Sequence, residues 1–237
     1  METYKGDTLV AIYKSMAVLA DFPKQVVVLR GTQAVCGLSG RGRGLQRRLI
    51  DERQTAEFAR FCKALEAAKS GHQALQRQLL ELGREAAAHM QRMLIDSRDT
   101  GQAIDDIGTI FTPEERRILR EGCAVTEPMF RKLIENVARI ARNLFGSHPA
   151  VRKWPNPNEI ANTFIFRSAL CGYLLALDWI SLGGAAGAKP ERLRNDMVDI
   201  NFAAYATYFD GLMSADKRVM RIYEEAKLLL DMIFRTQ

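Results

Sequence analysis

Apolar residues recur at helical spacing through most of this chain, and short β-type runs are scarce. Residues 8–19 predict an amphipathic helix stopped near Phe22 and Pro23. The run Gln25-Val26-Val27-Val28-Leu29 is β-branched and flanked by charge. Its continuous hydrophobicity predicts a central strand covered on both faces, as in parallel sheets. From Leu45 to about Phe145 the pattern is helical, with residues 46–69 and 73–94 as two long helices broken near Ser70-Gly71. Their apolar stripes (Phe58, Phe61 and Leu65; Leu75, Leu79 and Leu82) suit an intramolecular core, or a hairpin that also forms a dimer or partner surface.

Thr112-Pro113-Glu114-Glu115 reads as a helix start, with a capping hydroxyl, proline at the first helical position and acids at the positive end of the dipole. Another helix is expected over residues 127–144. Asn158 is placed to cap a long helix over 159–180, ended by Gly183-Gly184 and followed by a linker from Gly187 to Pro190. Residues 199–209 predict a helix with Phe202, Ala203, Ala206 and Phe209 on one face. Gly211, a very short strand at Leu212-Met213-Ser214, and a closing helix over 216–234 follow. The expected class is helix-rich α/β: a small parallel sheet with a large helical insertion or lid. Residues 1–44 would supply the first strand and a glycine–arginine loop, 45–150 the insertion, and 151–237 the rest of the core.

Composition adds a charge asymmetry. The chain carries 34 basic and 28 acidic side chains, a net +6, with Arg41, Arg43, Arg47 and Arg48 in one short window. Four aspartates lie between Asp196 and Asp216. A basic patch attracts phosphate backbones and a tight acidic group attracts a divalent cation. Cys36, Cys62, Cys123 and Cys171 show no zinc spacing, and His72, His89 and His148 do not complete one. Free thiols in a reducing compartment are expected, hence a cytoplasmic protein. Met1 to Asp7 is polar rather than signal-like, and the apolar run 169–177 is too short to span a bilayer, so no membrane association is expected.

Asp196 and Asp199 are three apart at an expected helix start and so share a face. Asp216 follows the expected short strand. Beside a parallel Val26–Leu29 strand it would stand at the carboxyl edge, where open α/β sheets place their sites. Each aspartate, and Ser214, is equally suited to capping a helix. The segment Asn195-Asp196-Met-Val-Asp199-Ile-Asn-Phe-Ala-Ala-Tyr-Ala206, then Asp210-Gly211-Leu-Met-Ser214-Ala-Asp216-Lys, resembles the end of a PIN domain. The resemblance covers about forty residues. It implies a PIN-like core and a Mg²⁺- or Mn²⁺-dependent ribonuclease, of toxin or defence type, with RNA as substrate and an antitoxin or other protein as partner. Asp199 and Asp216 would match family acids, Ser214 the family hydroxyl, and Asp196 an additional acid. These are the candidate catalytic residues, and the three aspartates the candidate metal ligands.

The family's first acid has no counterpart after the first strand, where Arg30 follows Leu29. Asp21 and Asp51 lie elsewhere, and Glu135 and Glu159 are candidates for the family's middle-helix acid. An arginine among carboxylates would pair with them and occupy the metal's electrostatic place. Two readings therefore stand beside the nuclease: a degenerate PIN-like module that binds or scaffolds a partner, and an all-helical regulatory protein without strands. The loop Gly37–Gly44 fits neither G-x-x-x-x-G-K-[ST] nor G-x-G-x-x-G. Its arginines suit contact with a nucleic-acid backbone. Trp154 and Trp179 are expected as packing residues. A homo-oligomer through the helical region is the remaining partner expectation.

Overall fold

The computed structural model describes residues 8–235, so the polar segment Met1 to Asp7 lies outside the described residues. The chain divides into two compact units. One comprises residues up to Arg30 together with Leu49–Asp96; the other comprises Gly31–Arg48 and everything from Ser97 onward.

In the first unit, α1 (Thr8–Asp21) contacts a later helix, α4 (Glu52–Lys69). Ile12, Leu65, Ala68 and Leu79 form its core, with Leu9, Tyr13, Met16 and Leu75 packed around them. Asp51 caps α4 by accepting from the Gln54 amide at 2.9 Å. Ser70 and Gly71 end that helix; Gly71 takes φ +102°, a left-handed conformation that suits glycine. The expected α/β class is overturned here. Among the described residues there is no sheet, and the β-branched run 25–29 makes one isolated antiparallel bridge, Leu29 to Ile50. Val27 is 53% exposed rather than doubly covered. The physical reason is the lack of a second strand. The Val28 amide donates to Thr55 Oγ1 and the Val28 carbonyl accepts from the Asp51 amide, so the run is spent on the approach to α4.

The second unit holds two short helices, α2 (Thr32–Val35) and α3 (Gly42–Arg48). The long α5 (Gln73–Thr109) begins in the first unit and its last turns belong to the second. Then come α6 (Pro113–Glu121), α7 (Glu127–Ser147), α8 (Phe164–Ser181), α9 (Pro190–Ala206) and α10 (Lys217–Arg235). Helix α8 is the hub, packed by α6, α7, α9 and α10. Leu170, Cys171, Tyr173 and Ala176 along it are almost wholly buried, and each large apolar side chain so placed contributes about 1.5–3 kcal/mol. By length and composition α8 could cross a membrane; here that hydrophobicity is spent on the core of a helical bundle.

Three expected helix starts move. The helix expected over residues 46–69 is divided between α3 and α4, so α4 begins at Glu52. Residues Pro157–Asn162 form a 3-10 turn, so Thr163, not Asn158, caps α8, accepting from the Phe166 amide at 3.3 Å. Helix α9 begins at Pro190, so Asp196 and Asp199 lie in its middle rather than at its start. The expected strand at Leu212-Met213-Ser214 is a loop with Met213 fully exposed. The start at Thr112 holds as a complete capping box: Thr112 Oγ1 accepts from the Glu115 amide and Glu115 accepts from the Thr112 amide.

Candidate functional site

The acids of the C-terminal segment gather where α8, α9 and α10 meet, and an arginine gathers them. Asp178 and Trp179 come from the last turn of α8, Asp196 from α9, and Arg218 from the first turn of α10. Arg218 Nη1 donates to Asp196 Oδ2 at 2.9 Å, and its Nε forms an ion pair with Asp178 Oδ2 at 2.5 Å. Trp179 Nε1 donates to the same Asp196 oxygen at 2.9 Å. The Arg218 guanidinium lies 4.9 Å from the Trp179 ring centroid, and Arg192 lies 4.6 Å from it, two cations over the electron-rich ring. Arg221, one turn along α10, pairs with the other oxygen of Asp178. The side chains of Asp178 and Asp196 are each 12% exposed, so these charges are largely withdrawn from water and depend on one another.

Asp216 has a different task. Its Oδ1 accepts from the amides of Arg218 (2.8 Å) and Val219 (3.3 Å), which makes it the N-cap of α10. Ser214 Oγ accepts from the Asp216 amide at 3.1 Å and shapes the turn before the helix. Asp196, Asp199, Asp216 and Arg218 do line one crevice, floored by Leu175, Ile200 and Val219. Its volume is about 10 Å³, room for a single water and far less than a nucleotide or a hydrated cation needs. Among the described residues no group of three or more His, Cys, Asp or Glu side chains is arranged to hold a metal ion. Glu135 and Glu159 do not line this crevice.

The arginine given the metal-replacing role in the sequence, Arg30, donates its Nε to the Ile50 carbonyl at 3.2 Å. In the acidic cluster the paired arginine is Arg218, with Asp178 and Asp196. Sequence reasoning missed both Arg218 and Asp178. The spacing Arg218–Arg221 on one helical face, opposite a lone aspartate at the end of the α8 apolar run, was the available signal.

Arg41, Arg43, Arg47 and Arg48 are all exposed, on and just before α3. Arg48 Nη1 also donates to the Ser39 carbonyl at 2.8 Å, closing the glycine loop on itself. The two tryptophans part company: Trp179 is 5% exposed within the cluster, whereas Trp154 is 51% exposed. Cys62 and Cys171 are buried free thiols; burial pushes the Cys171 thiol up to about 12. Chemically, then, the acidic site is a guanidinium–carboxylate–indole cluster that fastens three helices, and the exposed cations lie elsewhere on the second unit. The chain matches no known family model, no curated protein and no solved structure.

Proposed function

We propose that this chain is a non-catalytic, all-helical binding module of the cytoplasm, with RNA as its expected class of partner. The observation that carries this reading is the occupation of the acidic cluster by Arg218, which satisfies Asp178 and Asp196 where a metal would otherwise be needed. Asp216 is engaged as a helix cap, and the crevice between the acids has room for one water. A phosphodiester and its metal have no place there. The four exposed arginines on and just before α3 supply the attraction for a polyanion without any catalytic partner nearby in sequence.

Thermal melting with and without Mn²⁺, paired with cleavage assays on RNA and DNA, tests the proposal. The expected result is an unchanged melting temperature and intact substrates. A ligand at a hundred times its Kd adds about 2.7 kcal/mol of stability, so a true metal site would raise the melting temperature visibly. Such a rise, or cleavage that a chelator stops and Asp199→Asn abolishes, would overturn the reading.

A further inference from the structure

Two segments of the second unit, far apart in sequence, are brought together at one surface. A Cβ placed on Gly37 would stand 2.5 Å from the Ala150 carbonyl oxygen, and one on Gly42 would stand 3.1 Å from Asn162 Oδ1. The glycine–arginine loop is therefore laid directly on the connection between α7 and α8, at both of its ends. Gly37 is glycine because the Ala150 carbonyl leaves no room for a side chain.

This contact brings the segment that carries the exposed Arg41, Arg43, Arg47 and Arg48 against the one that carries Arg152 and Lys153, which follow Ala150 and are also exposed. Residues 32–48 contain no carboxylate, and Glu159 is the single one between His148 and Asn162. Next to Lys153 stands Trp154, its ring backed by Phe145 at 5.5 Å between centroids and half open to solvent. Six cations with one acid would hold a phosphate chain. A large, supported, half-exposed indole beside them offers what a phosphate chain alone does not use, a flat face for a base. In a duplex the base faces are stacked on one another and out of reach, so the pairing of features selects a single strand.

We infer that the surface formed by Arg41, Arg43, Arg47, Arg152, Lys153 and Trp154 binds single-stranded nucleic acid, the cations tracking the backbone and Trp154 stacking on a base. The inference rests on the reading of the chain as a binding module and names the surface and the form of the partner.

Fluorescence anisotropy of the full chain with a short labelled oligouridylate, its oligothymidylate counterpart, a duplex of equal length and inorganic polyphosphate tests it. Either single strand should bind more tightly than the duplex or polyphosphate. If all five cations engage, the slope of log K against log salt is about −3.5, at about 0.7 per phosphate contacted. Replacing both Arg43 and Arg47 by Gln, two solvent-facing changes that leave the fold intact, should flatten that slope by about 1.4. Trp154→Ala should weaken single-strand binding about tenfold, the low-to-middle range for one stacked base, and Trp154→Phe should restore most of it. No binding at low salt, equal affinity for polyphosphate, or an unchanged affinity in Trp154→Ala would each overturn the inference. Its failure with an unaltered Mn²⁺ melt leaves the non-catalytic reading in place. Mn²⁺-dependent cutting of a bound oligonucleotide removes that reading and leaves the surface.

Discussion

Asp216 and Arg218 stand two residues apart and answer different physical needs. Asp216 is a cap, and asparagine caps as well as aspartate does. Asp216→Asn should therefore leave stability almost unchanged, while Asp216→Ala should cost about 1 kcal/mol in chemical denaturation. Arg218 is the charge on which Asp178 and Asp196 depend. Arg218→Ala should cost about 3 kcal/mol, the low end for breaking a buried ion pair, because all three side chains keep a little solvent contact. The contrast separates a structural cluster from a metal site, in which Asp216→Asn would be the damaging change. The Thr112 cap and the Ser70-Gly71 break were legible in the sequence because such signals act within four residues of themselves; the Asp51 cap was not read, since a helix was expected to run through it. The ion pair was not, since Asp178 and Arg218 are brought together only by the packing of α8 against α10.

Among the helices, a bridge ties α6 to α7. Lys132 Nζ lies 2.7 Å from Glu115 Oε2, donates to the Ile110 carbonyl and sits 5.8 Å from the centroid of the Phe111 ring. The hydrogen bond from Lys132, with that from the Thr112 amide, holds the Glu115 carboxyl below its ordinary value of 4.5. A depressed carboxylate contributes stability that is complete above the ordinary value and is lost as pH falls through the lower, folded one. Unfolding measured by denaturant between neutral pH and the acid limb should show stability falling below about pH 4.5, with a shallower fall in Glu115→Gln. An identical acid limb in that variant would show that the bridge contributes nothing. The elements themselves were largely readable, since the 3.6-residue period and the Ser70-Gly71 and Gly183-Gly184 breaks are local signals. The strands were not, because β-branched residues state only that a segment is able to pair. Whether a partner strand exists is a property of the rest of the chain, and here none does among the described residues.

Across the whole molecule, the two units are unequal. The core of the first rests on a few residues of α1, α4 and α5, whereas the second is built around the nearly wholly buried α8. Both tryptophans, Trp154 and Trp179, belong to the second unit. In a denaturant titration, far-UV circular dichroism should therefore lose signal before tryptophan fluorescence responds, the two probes giving displaced transitions. Superimposed curves would mean that the units melt as one. The parallel sheet expected from the PIN-like ending dissolves at this scale: the ending's residues are present, and helix α9, the start of α10 and the loop between them carry them rather than strands. One consequence of Arg218 reaches beyond stability. A metal is a borrowed part, open to competition from chelators, to replacement by other ions and to scarcity. The positive charge at the heart of this cluster is encoded in the gene and made with the chain, so the ion pair forms as part of the fold itself.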